Sequence, residues 1–226
     1  MLITSKPSWE LPEPPHATYT TAQEYAYERL RFAIMVGGVP PGAALTIRGV
    51  ADALSLSPTP VRETLRRLCA EGALFSQSNR RIITPPMTAA RHQELISTRV
   101  ALEQLAVRRA ARFITENDLE VLTDIDLQMD QAIVQQNYFQ LVILNQQFHS
   151  TLYALNPEQV CLPMIESVWL QLGPFNRLAA ERAGQFILED QHKNLLIALR
   201  ERDTEAALKA VEADIRDAAN HVTAAQ

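Results

Sequence analysis

The sequence predicts a mainly α fold: an N-terminal winged helix-turn-helix followed by a C-terminal all-α antiparallel helical bundle. Three observations lead there. Residues 46–74 carry the spacing of two short helices around a tight turn, with the arginines of the second helix off its apolar stripe. The charge is divided: eight arginines face five acids over 21–86 (net +3), and twelve bases face nineteen acids over 87–226 (net −7). The overall −5 therefore conceals a basic module joined to an acidic one, although many of those acids simply solvate helical faces. Beyond Pro85-Pro86, apolar residues recur at helical spacing almost without interruption.

Taken in order, residues 1–20 are proline-rich and lack periodicity, which predicts a flexible N-terminal arm; Trp9 within it either packs on the body or does nothing. The domain over 21–85 opens with a helix over 21–36 whose buried stripe is Tyr25 or Ala26, Leu30, Ala33 and Ile34. Gly37-Gly38 and Pro40-Pro41-Gly42 end it. In the next helix Ile47, Val50, Ala51 and Leu54 face a core. Ser55-Leu56-Ser57 breaks that helix, and Ser57 with Pro58 or Pro60 suits the start of another. There Val61, Leu65 and Leu68 form the stripe, Arg62, Arg66 and Arg67 are free to face outward, and Gly72 supplies a left-handed cap. A helix pair of this kind lays its second helix in a DNA major groove. Residues 73–77 and 81–84 read as two short strands around Ser78-Asn79-Arg80, a wing whose Arg80 and Arg81 can reach phosphate or the minor groove.

After the short, stiff Pro85-Pro86 linker, helices are predicted at about 88–114, 116–135, 137–155, 158–172, 174–182, 184–201 and 203–223, forming one domain over 87–226. Thr115 to Asp118 and Asp203 to Glu205 are capping sequences, and Asn156-Pro157 and Gly173-Pro174 are breaks. The composition is that of an ordinary soluble protein, 47% hydrophobic and 21% charged. No apolar run approaches the roughly 20 residues that span a bilayer, and the N-terminus lacks the apolar core of a signal peptide. Cys69 and Cys161 fall in different predicted domains, which suits unpaired thiols and the cytoplasm.

Four polar residues interrupt apolar helix in the second half. Asn145 and His149 are one turn apart among Leu141, Leu144, Phe148 and Leu152. His192 sits with Leu195, Leu196 and Leu199, and Asp214 with Val211 and Ile215, on two helices that one hairpin would bring together. Converging, they would make a site for a divalent metal of the Zn, Ni or Mn class; taken singly, each also reads as a hydrogen-bonded core residue, a cap or a solvated acid. His221, seven residues beyond Asp214, is either a substitute ligand or a surface residue. Arg99, flanked by Ile96, Val100 and Leu102, needs an anionic partner, either Glu103 one turn on or a bound acid.

The stretch S-P-T-P-V-R-E-T-L-R-R-L-C-A-E-G-A-L, residues 57–74, resembles the signature of GntR-superfamily regulators. Leu30 to Leu45 resembles the start of the same module. Pro58 stands where the family often has Arg, Ser55 replaces its customary turn Gly, and a Gly usual near Arg81 is missing. The second half is similar to the FCD ligand-sensing domain of the FadR-like branch. The carriers are Arg99 and Glu103, L-N-Q-Q-F-H at 144–149, G-P-F-N-R-L at 173–178, and H-K-N-L-L-I-A-L-R-E-R-D at 192–203.

Placement on the helix-turn-helix away from the apolar stripe, or at the wing tip, gives a DNA-binding role to Arg48, Ser57, Thr59, Arg62, Arg66 and Arg80, and the resemblance adds that Arg48 and Arg62 match positions that touch DNA in the family. The resemblance implies metal ligation through one Asp and three His: Asn145 falls where the Asp is expected, His149 and His192 match, and Asp214 falls where the last His is expected. It places Arg99, with Asn145, His149 and His192, at an effector pocket. The expected function is a transcriptional regulator, a repressor, that binds a pseudo-palindromic operator in double-stranded DNA as a homodimer and responds to a small carboxylate. Two rivals remain: a metal-dependent enzyme carrying an accessory winged-helix module, and a helical half that dimerises but senses nothing. Against the enzyme, the sequence has no H-E-x-x-H and no Gly-rich phosphate loop.

Overall fold

The computed structural model describes residues 9–15, 18–77, 81–158, 160–183 and 190–223. Helix α1 (Ala22–Met35) begins at a capping box in which Thr21 and Glu24 satisfy each other's backbone N–H groups. Its buried face, including Ala26, Tyr27, Leu30, Ala33 and Ile34, contains most of the expected stripe. Strand β1 (Ala44–Leu45) precedes helices α2 (Ile47–Leu54) and α3 (Pro58–Ala70). Strands β2 (Phe75–Ser76) and β3 (Ile82–Ile83) form the wing, and β1 pairs with β3 to give the order β1-β3-β2. Two residues are too few to show a period of two, so β1 left no trace in the sequence pattern. The wing tip, Ser78 to Arg80, lies outside the described residues.

The turn between α2 and α3 rests on Ser55, whose φ of 56° and ψ of 40° put a non-glycine residue in the left-handed region. Ser57 occupies the N-cap position of α3, yet its side chain makes no capping bond, and Pro58 opens the first turn. Gly72, with φ of 74°, follows the end of α3 in the expected left-handed conformation.

The second half packs α4 (Ala89–Ala110), α5 (Glu116–Val134), α6 (Tyr138–Ala154), α7 (Cys161–Ala183), α8 (Gln191–Arg200) and α9 (Thr204–Thr223) into a helical bundle. One predicted break is wrong. Gly173-Pro174 does not divide the chain; α7 runs through it as a single helix with Pro174 inside. Gly173 serves another purpose, because α1 crosses α7 there so closely that a Cβ would stand 2.6 Å from Met35 Cα and overlap the Ile34 carbonyl oxygen. Tertiary contact overrides the local breaker signal. The segment 184–189, where the sequence predicts the start of the next helix, lies outside the described residues.

The α1–α7 crossing joins the two halves. Arg31 pairs with Glu166 at 2.9 Å, and Asn176 Nδ2 donates to the Met35 carbonyl at 3.1 Å. The described part of the N-terminal arm corrects the expectation of a free segment. Trp9 is buried and approaches Gly49 in α2; the Glu10 backbone N–H donates to the Gly38 carbonyl; Glu13 and Glu10 pair with Arg29 and Arg177. Cys69 and Cys161 are both free thiols. No helix among the described residues is long and apolar enough to cross a membrane.

Candidate DNA interface and ligand cavity

The first site is the outward face of α2 and α3. Burying Val61, Leu65 and Leu68 against α1 rotates Arg62 and Arg66 to solvent, together with Ser57 and Thr59 at the start of α3. Arg48 on α2 is 93% exposed and only loosely paired with Asp52 at 3.9 Å. Arg66 is similarly loose, 3.7 Å from Glu63, and Arg62 has no ion partner among the described residues. Surface pairs of this kind hold their charge weakly, so these cations are available to phosphate or base edges. Arg67 differs from its neighbours. Its guanidinium lies 3.5 Å from the Tyr27 ring centroid and bonds Glu71, which also accepts from the Tyr27 hydroxyl, so Arg67 fastens α3 to α1. Arg80 lies outside the described residues.

The second site is a cavity of about 480 Å³ inside the bundle, walled by residues of several helices including Arg99, Asn145, His192 and Asp214, and by Met35, the last residue of α1. His149, fully buried, stands immediately behind this wall. His149 Nε2 lies 3.1 Å from Asp214 Oδ2, and His192 Nε2 lies 3.8 Å from Asp214 Oδ1. One ligand atom from each of the three residues falls within 4.8 Å of the others. Asn145 is also there, but its Nδ2 donates to His192 Nε2 at 3.1 Å and so occupies the lone pair a metal would use. The amide that stands in for the family's Asp is thus a neighbour of the set rather than a strong member.

The protons favour a cation. Tyr153 donates its hydroxyl hydrogen to Glu103 Oε2 at 2.6 Å and therefore accepts from His149 Nδ1 at 3.0 Å. With Nδ1 turned to Tyr153, His149 presents Nε2 to the Asp214 carboxylate. Burial alone would raise the Asp214 pKa, but His192, then the His149 hydrogen bond and Arg99, hold the carboxyl far below its ordinary value. Burial pushes His192 down, which keeps a neutral, ligating imidazole. Two imidazoles and one carboxylate within 4.8 Å of one another fit a divalent metal once the Asn145 amide yields the His192 lone pair, and the His149–Tyr153–Glu103 chain is the supporting shell such ligands need.

Glu103, wholly buried, also accepts from Arg99 Nε at 2.5 Å and from Trp169 Nε1 at 2.8 Å. Both readings of Arg99 therefore hold together. Its Nε is tied to Glu103, and among the described residues neither Nη has a hydrogen-bond partner, which leaves the fork for the cavity.

Two lining residues escaped the sequence reading. Asp126 is 4% exposed, and burial, then the nearby Asp190, lift its carboxyl to about 6. His92 Nε2 is buried without a partner among the described residues. Both sit on helices rich in other polar residues, so neither broke an apolar pattern; Asp126 at least follows Leu119, Leu122 and Ile125 along the buried face.

Comparison with known proteins agrees with both halves. Residues 22–83 match the model described as "Bacterial regulatory proteins, gntR family", and residues 94–217 match the FCD domain. The HTH-type transcriptional regulator McbR of Escherichia coli (strain K12) is 29% identical over 78% of this chain and 81% of its own. The solved structure titled E. coli McbR/YncC superposes with a TM-score of 0.77 at 25% identity, covering 87% of this chain and 94% of that one. A GntR regulator from Rhodococcus sp. RHA1 shares the fold with a TM-score of 0.72 at 22% identity, over 92% of this chain and 100% of its own. These relatives are regulators of transcription, which removes the metal-dependent enzyme as a rival. The chain belongs to the GntR family of DNA-binding transcriptional regulators, in the group that carries an FCD domain.

Proposed function

We propose that this regulator is a repressor whose grip on DNA is set by a small organic acid bound in the bundle cavity, with a divalent metal beside it. The observation that carries the reading is Arg99, buried at the cavity wall with Nε tied to Glu103 and both Nη atoms unpaired among the described residues. A bundle interior strongly disfavours an anion unless positive charge meets it, and a free guanidinium fork is shaped for a carboxylate. His149, His192 and Asp214 would hold the metal, whose positive charge would supply a second anchor for the acid. Arg48, Ser57, Thr59, Arg62 and Arg66, with Arg80 at the wing, would contact DNA. One α3 reads only a half-site, so the working species is a homodimer on a pseudo-palindromic operator in the cytoplasm.

A ligand moves the reading heads only if the two head arrangements differ in affinity for it. The Pro85-Pro86 linker offers one path from α4 to the wing. The α1–α7 crossing offers a shorter one, since Met35 lines the cavity and its carbonyl is held by Asn176, another lining residue. An acid that displaces Met35 or Asn176 acts on α1 directly, and α3 leans on α1.

Operator release by candidate acids, followed by fluorescence anisotropy in wild type and Arg99→Lys, tests the reading. Lysine keeps a charge for Glu103 but loses the fork, so the midpoint for an active acid should rise at least about tenfold, the worth of about 1.4 kcal/mol. An unchanged midpoint would place the effector elsewhere.

A further inference from the structure

The cavity is not uniformly positive. Opposite in charge to Arg99, Asp126 lines the same space, 4% exposed, and no hydrogen-bond donor among the described residues reaches its carboxylate. Its acidic neighbours are already satisfied. Lys193 Nζ lies 2.9 Å from Asp130 Oδ2 and 2.7 Å from Asp190 Oδ2, and Asp190 Oδ1 caps α8 by accepting from the Lys193 backbone N–H at 3.1 Å. Among the described residues Asp126 remains without a hydrogen-bond donor, a desolvated carboxylate facing the cavity and sensing Lys193 only at a distance, through a charge already shared by Asp130 and Asp190. Such a group is costly to bury unless a ligand completes it.

We propose that Asp126 is a subsite for a positively charged nitrogen, so that the effector is a zwitterion whose carboxylate meets Arg99 and whose ammonium meets Asp126. This rests on the reading of the cavity as a carboxylate sensor and narrows it. A second metal is the other way to satisfy Asp126, because Asp126, Asp190 and His192 also cluster within 4.8 Å. The chemistry favours the amine. Asp190 is committed to Lys193 and the α8 cap, and His192 already belongs to the set with His149 and Asp214, which leaves one carboxylate where a second metal needs three or more protein ligands. An ammonium needs one carboxylate plus any further acceptor. His92 Nε2, buried and unpartnered on the same cavity, can serve as that acceptor when its proton is on Nδ1.

The test uses matched acids that differ only by amine against hydroxyl: aspartate and malate, glutamate and 2-hydroxyglutarate, 4-aminobutyrate and 4-hydroxybutyrate. Binding to the full-length protein is measured by thermal shift and calorimetry, for wild type, Asp126→Asn and Asp126→Glu. At least one amino member should bind wild type ten or more times more tightly than its hydroxy partner. Asp126→Asn should erase that preference and Asp126→Glu should keep part of it. Hydroxy members that bind as well as their amino partners in every pair overturn the amine subsite and leave the carboxylate sensor standing. No binding by any member, in either form, overturns both. Titration with Zn²⁺, Ni²⁺ or Mn²⁺ alone supplies the last arm: two ions per protomer in wild type and one in Asp126→Asn would give Asp126 to a metal and overturn the proposal.

Discussion

Gly173→Ala sets two effects against each other. In a free helix the change gains about 1 kcal/mol of helix propensity. Here the new Cβ would stand 2.6 Å from Met35 Cα and 2.8 Å from the Met35 carbonyl oxygen, and would overlap the Ile34 carbonyl. Ordinary contacts lie at about 3.5 Å, so α1 would have to retreat by roughly 1 Å. The obstacle is backbone in all three cases, which no rotamer change relieves, so the cost belongs at the upper end of the 1–3 kcal/mol range for overpacking. Retreat would also stretch the Asn176–Met35 bond and the Arg31–Glu166 pair. The net expectation is a loss of about 2 kcal/mol, or roughly 4–8 °C in Tm for a chain of this size. Thermal and urea melts followed by circular dichroism would measure it. A variant as stable as wild type, or more so, would show that helix propensity wins and that the close crossing of α1 on α7 is not the native arrangement.

Three further outcomes follow from the geometry. Arg62→Ala should flatten the salt dependence of operator binding by about one unit if the lost contact is to phosphate, or cost about 1–3 kcal/mol and relax sequence preference if it is to a base; titrations at several salt concentrations that match wild type in both respects would remove Arg62 from the interface. Ser55→Gly relieves a left-handed serine and should raise stability by about 0.5–1 kcal/mol in denaturant melts, the strain outweighing the extra freedom glycine brings to the unfolded chain. Asp214→Asn takes away the carboxylate between two imidazoles, so metal retained after gel filtration should fall well below that of wild type; equal metal content by elemental analysis would exclude the three-residue set.

The reading head was largely legible in the sequence because its signals are local. Val61, Leu65 and Leu68 face one way, and Arg62 and Arg66 therefore face the other, whatever the rest of the chain does. The pairing of His192 with Asp214 was legible for a related reason, since one hairpin fixes the neighbours of α8 and α9. What the sequence hid depends on contacts between distant segments. Gly173-Pro174 looks like a break until α1 is placed across it. Whether Trp9 packs or idles is undecided until α2 is beneath it. Arg67 looks like another reading arginine until Tyr27 and Glu71 arrive from other elements. Asp126 looks like a solvated acid, because nothing in its helix reveals that the cavity lies on that side.

Glu103 touches both halves of the cavity's chemistry. One of its oxygens holds Arg99 and the other, through Tyr153, steers the proton on His149. A carboxylate that draws on the Arg99 guanidinium weakens its hold on Glu103, and Glu103 then pulls harder on the tyrosine hydroxyl and makes His149 Nε2 a better donor to metal. Acid and metal would thus be cooperative across a single buried residue. Thermodynamic reciprocity makes the factor by which the acid tightens metal binding equal to the factor by which the metal tightens acid binding. A cell short of the metal would then read the same concentration of acid as a smaller amount, so the protein would report on both supplies at once.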